Sequence, residues 1–243
     1  MNSPLNDVYS DLLRLIGEYL SRKDFRKLCK ISKGLSLETQ SIQYFDLNAE
    51  YSLKHYESAE FRAKVLSCVG SPYQLSLNLS GGYREVPYVS DVSALGGVHT
   101  LDLSYCRNIT DVSALGGVHT LNLFGCNNIT DVSALGGVHT LNLYGCNKIT
   151  DVSALGRVHT LNLMSCANVT DVSALDRVHN LDLSWCSNIT DVSALCGVHT
   201  LNLSHCSNIT DVSALGGVHT LNLFWCDGVI DVSALNDVVN LIK

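Results

Sequence analysis

Apolar and polar positions recur along residues 91–243 with a period of 20. The segment DVSALGGVHTLDLSYCRNIT at 91–110 returns at 111, 131, 151, 171, 191 and 211, and a partial copy occupies 231–243. Self-similarity at a fixed period of this length is typical of a solenoid, in which each unit buries its apolar face only against its neighbours. The pattern therefore predicts a repeat array and not a compact globular domain.

Within one unit, the alternation of apolar and polar residues predicts a short strand. Leu101 and Leu103 are two residues apart, so both point to one side, while Asp102 between them points to the other. We expect one continuous parallel sheet of eight or nine such strands with the leucines inside. The nine residues from Thr110 to Val118 leave room for a turn or a 3₁₀ segment but not for a full α-helix, and Asp111 can accept backbone N–H bonds where that turn starts.

The string V-x-x-L-x-L-x-x-C from Val98 to Cys106 resembles the leucine-rich repeat. Its extension C-x-x-I-T-D resembles the cysteine-containing type of that repeat in shortened form, and V-S-A-L resembles the convex segment of internalin-like repeats. The resemblance implies an α/β repeat fold: a leucine-rich-repeat solenoid with a parallel concave sheet and a convex side of turns or 3₁₀ segments. Residues 73–90 are interpreted as a degenerate first repeat with a four-residue insertion, so the predicted solenoid is 73–243.

Upstream of the repeats, helical spacing replaces strand alternation. Residues 1–35 are predicted to form a small helical head, with apolar residues of two helices on one face at Leu12, Leu13, Ile16, Leu20, Phe25 and Leu28. Residues 36–72 are predicted to be a helical linker and N-terminal cap. A third helix is expected over Ser58–Cys68, with Phe61, Val65 and Leu66 inward, covering the open edge of the first strand.

The stretch DLLRLIGEYLSRKDFRKLCKISK at 11–33 resembles an F-box, a helical motif that docks onto the Skp1-type linker of cullin ubiquitin ligases. F-box proteins commonly join this motif to cysteine-containing leucine-rich repeats, and proteins of Marseillevirus-like large DNA viruses are similar to the whole arrangement. The resemblance implies a substrate adaptor of a cullin-type ligase, with the six apolar head residues docking the linker. Val8 and Tyr9 stand where the family has Leu-Pro, and the Trp-rich end is absent. The alternative is a scaffold or decoy whose N-terminal helices are only a cap.

Charge and composition narrow the classes of partner. Residues 91–243 carry 5 Lys and Arg against 13 Asp and Glu, which disfavours a nucleic-acid phosphate backbone as ligand. The first residues lack the apolar segment of a signal peptide, and no apolar stretch reaches the length of a membrane span. We therefore expect a cytoplasmic protein (host cytoplasm if viral) with reduced cysteines, no membrane contact and no nucleic acid partner.

Three further columns repeat every 20 residues, and each is interpreted structurally. The seven cysteines from Cys106 to Cys226 are expected to form a buried ladder, and Cys196 an exposed thiol. The seven histidines from His99 to His219 are expected to lower one another's pKa values, with a metal strip as the less favoured alternative. The Asn column that starts at Asp102 predicts a polar ladder. No catalytic or phosphate-binding motif occurs, so the chain is predicted not to be an enzyme and to need no cofactor or metal.

The copies differ mainly in the two positions before each repeat cysteine. Large side chains concentrate there, including both tryptophans of the chain. Aromatic residues on an exposed face commonly anchor protein interfaces, whereas neutral variation at solvated positions is the alternative. The residues predicted to bind a protein target on the concave face are Tyr105, Phe124, Tyr144, Met164, Trp185, His205, Phe224 and Trp225.

The last partial unit, 231–243, carries apolar residues on a final strand. Unpaired backbone groups on such a strand invite pairing with another chain. Weak end-to-end self-association, or fraying of residues 231–243 in the monomer, is therefore expected.

Overall fold

The chain divides into two compact units, Met1–Asn78 and Leu79–Lys243. The computed structural model describes residues 45–47, 49–69, 75–81 and 89–243. The predicted helical head at 1–35 lies outside the described residues, as do its candidate docking residues. The assignment of that head, and of the boundaries at 35 and 72, stays a prediction.

In the first unit, two parallel strands pack with two helices. Strand β1 (Phe45–Leu47) precedes helices α1 (Ala49–Glu57) and α2 (Ala59–Val69), and strand β2 (Leu75–Asn78) pairs with β1. Ser58 begins α2 because its Oγ accepts a hydrogen bond from the backbone N–H of Phe61 at 3.1 Å. The helix expected at 58–68 is thus confirmed. Helix α1 lies within the predicted helical linker at 36–72, whereas β1 was not predicted.

A buried serine joins these elements. Ser52 of α1 donates a hydrogen bond from Oγ to the carbonyl of Leu47, and the same Oγ accepts one from the N–H of Asn78, each at 3.0 Å. Leu47, Leu75 and Val65 are buried. The third helix was expected to cover the open edge of the first repeat strand, which is β2. That prediction is wrong, because strand β1 pairs with β2 along this edge.

Within residues 79–81 and 89–243, the second unit has eight short parallel strands, each pairing with the next one along the chain. Every residue pairs with the residue 20 positions later, as Leu101 does with Leu121. The register follows from the constant repeat length, because residues that face each other on adjacent strands are then always copies of the same repeat position. The strands are β3 (Thr100–Asp102), β4 (Thr120–Asn122), β5 (Thr140–Asn142), β6 (Thr160–Asn162), β7 (Asn180–Asp182), β8 (Thr200–Asn202), β9 (Thr220–Asn222) and β10 (Asn240–Ile242).

In β3 to β9 the strand leucine and the leucine just after the strand form the core, as the alternation predicts, whereas Leu241 of β10 is half-buried. Leu121 and Leu123 are 1% and 0% exposed, and the equivalent residues of β3 to β9 are also buried. Each buried leucine contributes about 1.5–3 kcal/mol relative to an exposed one. Because the same residue lies at the same height in every repeat, the core is a stack of identical layers.

The return segments are 3₁₀ helices, which confirms the expected turn side of the solenoid. In each of them the aspartate before the helix accepts the N–H of a serine two residues later, as Asp111 does from Ser113 at 2.8 Å. These hydrogen bonds lower the pKa of the Asp111 carboxyl. The 3₁₀ helices are Ser93–Leu95, Ser113–Gly117, Ser133–Gly137, Ser153–Leu155, Ser173–Leu175, Ser193–Gly197, Ser213–Gly217 and Ser233–Leu235.

Candidate functional site

A tight turn after each strand positions the residues predicted to bind a partner. The strand ends at an Asn or Asp whose side-chain oxygen accepts the N–H two residues later, as Asn122 does from Phe124 at 3.1 Å. The N–H of Cys126 then bonds to the carbonyl of Leu123 at 3.0 Å, which closes the turn. The same pair of bonds occurs from Asp102 to Asn222. The Asn column is therefore chiefly a turn-forming device.

The second position of each turn lies in the left-handed backbone region. The φ angles there are between 57° and 73°, and two repeats have glycine, at Gly125 and Gly145. Residues with a Cβ cost about 1–2 kcal/mol in this conformation. Five repeats accept that cost, since their second position is Tyr105, Ser165, Trp185, His205 or Trp225.

In most turns only one of the two residues before the cysteine has a large side chain. Where the second residue is large, as at Trp185, the first is a buried serine such as Ser184 (3% exposed). Where the second is Gly125, the first is the large Phe124, and the ring of Tyr105 leans over the glycine, 2.9 Å from where a Cβ would stand. Only Phe224 and Trp225 place two large side chains in one described turn. We call the large side chains of these turns the aromatic strip: Tyr105, Phe124, Tyr144, Met164, Trp185, His205, Phe224 and Trp225.

The first half of the strip is a half-buried stack. The ring centroids of Tyr105 and Phe124 are 4.6 Å apart with a tilt of 58°, and those of Phe124 and Tyr144 are 4.5 Å apart and nearly parallel. Met164 follows, also half-buried. Contacts along the stack cover much of each ring, so this half offers ring edges to solvent.

The second half is more exposed, and we call it the C-terminal aromatic patch: Trp185, His205, Phe224 and Trp225. The His205 ring lies between the two indoles, with centroids 3.8 Å from Trp185 and 5.8 Å from Trp225, and all three planes are nearly parallel. Phe224 stands at 87° to His205 and at 77° to Trp225. The structure thus brings the predicted partner-binding residues together in two clusters.

The cysteine column is a buried ladder of free thiols, as expected. Each thiol donates a hydrogen bond to a carbonyl of the preceding repeat, as Cys126 does to Leu103 at 3.1 Å. Burial raises the pKa of Cys126 to about 12, so the thiol stays protonated at neutral pH. Cys196 lies outside this ladder and is exposed, as predicted.

The histidine column is a stack of imidazoles whose centroids are 4.5 to 4.7 Å apart. In six of the seven, Nδ1 lies 3.0 to 3.2 Å from the hydroxyl of the following threonine. Desolvation and then the neighbouring imidazoles lower the pKa values of His119, His159 and His199, which confirms the expected direction for these three. Parallel rings do not converge on one ion, so the column has no chelating geometry.

Two absences apply to the described part of the chain. No group of three or more His, Cys, Asp or Glu side chains there is placed to hold a metal ion. Neither α1 nor α2, nor any other helix within these residues, has the length and apolar character needed to cross a bilayer.

Comparison with known proteins identifies the fold and not a family. No protein-family model and no curated protein sequence matches the chain. Among solved structures, an internalin (inlF) from Listeria monocytogenes is similar with 23% identity and a TM-score of 0.54 over 73% of this chain and 55% of that chain. This chain therefore spans about half the length of that internalin.

Two other solved structures are similar to the chain. The leucine-rich-repeat domain of the type III effector XCV3220 (XopL) matches with 13% identity and a TM-score of 0.50, covering 100% of this chain and 96% of that domain. A chain of the yeast Rad7 and Elc1 complex matches with 17% identity and a TM-score of 0.39, over 71% of this chain and 48% of that one, which is too weak to carry an argument. The second unit has the leucine-rich-repeat fold.

Proposed function

We propose that this chain is a non-enzymatic protein-binding module that contacts its target through the aromatic strip. The observation that carries the proposal is the placement of large side chains where the backbone favours glycine. Trp185 and Trp225 have φ angles of 64° and 60°, although Gly125 and Gly145 show that the same turn forms without a side chain. Side chains kept at a cost to stability point to a role other than folding.

Exposure supports the same proposal. Trp185, Phe224 and Trp225 are 51%, 46% and 58% exposed, whereas the leucines behind them are fully buried. Tryptophan and other aromatic residues supply much of the binding free energy at protein interfaces because they bury large areas with few rotatable bonds. The rigid turns hold them in place before a partner arrives, which lowers the entropic cost of binding.

Selection of displayed random peptides on the immobilised full chain tests this proposal without knowledge of the natural target. Peptides that bind through the strip are expected to lose at least about tenfold in affinity on Phe224→Ala, since an interface anchor contributes more than about 1.4 kcal/mol. Thr150→Ala, at an exposed position away from the strip, is the matched control and should leave affinity unchanged. Peptides that are insensitive to every strip substitution would refute the proposal.

We further propose that the target is delivered to a cullin-type ubiquitin ligase, so that the chain acts as a substrate adaptor. This proposal rests on the F-box-like sequence at 11–33 and on the predicted docking residues Leu12, Leu13, Ile16, Leu20, Phe25 and Leu28. Purified full chain should bind a Skp1-type protein at micromolar concentration, and Leu12→Asp combined with Ile16→Asp should abolish binding. Arg14→Ala is the matched control, and circular dichroism must show that each variant is folded. Absence of binding by the unaltered chain would favour the scaffold or decoy alternative.

A further inference from the structure

The C-terminal aromatic patch differs from the rest of the strip in charge as well as in exposure. Between residues 178 and 242 the chain contains six aspartates and no lysine or arginine. The first half of the strip has cations nearby in sequence, Arg107 and Lys148, both exposed. Of these six, Asp182 and Asp227 belong to the strand-and-turn side that carries the patch, so a partner group that approaches the patch meets aromatic surface and carboxylates.

One of those carboxylates belongs to the same turn as Trp185. Asp182 is the last residue of β7, three residues before Trp185, and is half-buried. Its Oδ1 accepts hydrogen bonds from the N–H and the hydroxyl of Ser184, at 2.8 and 2.5 Å, and its Oδ2 accepts one from Asn202 at 3.1 Å. An ionised carboxylate has about four acceptor positions, so Oδ2 retains capacity for another donor. Asp227, exposed and two residues after Trp225, is a second carboxylate.

The rings present an ordered surface to a ligand. His205 faces both indoles, and the exposed fractions of 51% and 58% leave the remainder of Trp185 and Trp225 open to solvent. The backbone N–H groups of Trp185 and His205 each bond to a carbonyl of the next repeat at 2.9 Å, which fixes the backbone from which both side chains project. Open indole surface attracts cations through the ring quadrupole.

We propose that the C-terminal aromatic patch binds an arginine side chain of a partner protein, with the guanidinium stacked on an exposed indole and donating to the carboxylate of Asp182. A guanidinium suits both features, because it is planar, stacks on aromatic rings and presents a rigid fork of donors to a carboxylate. A lysine ammonium satisfies the charge but not the planar stacking. This inference rests on the proposed function, since it specifies the kind of partner that the strip receives.

The two tryptophans of the chain make the test direct, because both lie in the patch and no other residue contributes indole fluorescence. The probe is the peptide acetyl-Gly-Arg-Gly-Arg-Gly-amide, titrated into the full chain at low salt. Its lysine and glutamate counterparts are the comparison peptides. We expect a saturable change in fluorescence with the arginine peptide, binding several-fold weaker with the lysine peptide, and no response to the glutamate peptide.

Variants assign the effect to the patch. Trp225→Gly and Trp185→Gly install the residue that equivalent turns already contain, so they should fold, and each leaves one tryptophan as the reporter. At least one of them should weaken binding by about tenfold, the upper range for a cation on an aromatic face. Asp182→Asn should weaken it by roughly fivefold or more, as loss of a charge-assisted hydrogen bond does.

Asp176→Asn is the matched control, since it removes the same charge from an exposed residue of the same repeat on the 3₁₀ side. It should change affinity by less than about twofold, because distant exposed charges are screened. Equal binding of the arginine and lysine peptides, equal effects of Asp176→Asn and Asp182→Asn, or no fluorescence response would overturn the inference. If the displayed peptides bind through the strip but their binding does not depend on an arginine, this inference fails while the proposed function stands. If none depends on the strip, the proposed function itself fails.

Discussion

Replacing Gly145 with alanine isolates the cost of the left-handed turn from every packing effect. Gly145 has a φ of +73°, and a Cβ built there would meet no atom within 4 Å. The left-handed backbone costs an alanine about 1–2 kcal/mol. The unfolded chain becomes less flexible, which offsets about 0.4–1 kcal/mol. The net expectation is that Gly145→Ala lowers the free energy of unfolding by about 1 kcal/mol.

Gly125 provides the comparison, because its backbone is nearly the same and its surroundings are not. Its φ is +70°, but a Cβ there would stand 2.9 Å from Cδ1 of Tyr105. The ring must shift, and crowding of this kind costs about 1 kcal/mol or more. Gly125→Ala should therefore cost roughly 2 kcal/mol. In a Tyr105→Ala background the same change should cost only as much as Gly145→Ala, since the ring is gone.

Urea unfolding of the unaltered chain, the three single variants and the Tyr105→Ala/Gly125→Ala double variant, followed by far-ultraviolet circular dichroism, measures these differences. Midpoints are comparable only where the slope of the transition is unchanged, which also checks that the array unfolds cooperatively. A coupling energy of about 1 kcal/mol between Tyr105 and Gly125 is expected from the double-mutant cycle. A neutral Gly145→Ala would refute the argument that side chains at this position are kept at a cost. Zero coupling would refute the contact between the tyrosine ring and the glycine.

Four more measurements follow from the structure. Leu121→Ala should lower the free energy of unfolding by about 2–5 kcal/mol and Phe124→Ala by under about 1 kcal/mol, so equal losses in urea would contradict the inward and outward assignment. Iodoacetamide at pH 8 should label Cys196 well before the buried ladder cysteines in peptide mapping, because burial keeps those thiols protonated, and uniform labelling would argue against the ladder. His119, His159 and His199 have lowered pKa values, so the folded chain favours their neutral form. Their contribution to the free energy of unfolding is therefore present above pH 6.5 and is lost as the pH falls below that value. An NMR titration in which no histidine midpoint is lowered would contradict the stacking. The last repeat exposes apolar residues, among them Ile242 at 48%, and these should cause weak self-association of the 243-residue chain. Sedimentation over a hundredfold concentration range should show this association and its reduction by Ile242→Lys. A monomer at every concentration for both proteins would contradict the prediction.

Local periodicity carries most of the information about the fold. A constant repeat of 20 residues determines the parallel pairing of each residue with its copy 20 positions later, and the two-residue spacing of Leu101 and Leu103 determines which side faces the core. The short return segment likewise excludes an α-helix and leaves the 3₁₀ turn. These features depend only on neighbouring repeats, and every neighbouring repeat is nearly the same sequence.

The tertiary structure decided the backbone conformation and the packing of the residues in the aromatic strip. The sequence predicts that both positions before each cysteine are variable surface positions, but only the folded chain shows that the second is left-handed and that Tyr105, Trp185 and His205 each follow a buried serine. Gly125 and Gly145, together with an Asn or Asp at the ends of β3 to β9, were the available signal for that turn. Strand β1 was not anticipated because its three residues carry no repeat pattern, and its pairing with β2 is non-local.

The exposure of the two halves of the aromatic strip was likewise decided by packing and not by composition. Composition places aromatic residues at both, whereas the exposed indoles of Trp185 and Trp225 and the half-buried stack around Phe124 differ through packing between adjacent turns. Ring overlap depends on how two side chains share space across a strand spacing of about 4.8 Å, which no single repeat specifies. The repeating sequence therefore determines the scaffold, and contacts between repeats determine which of its side chains remain open to a partner.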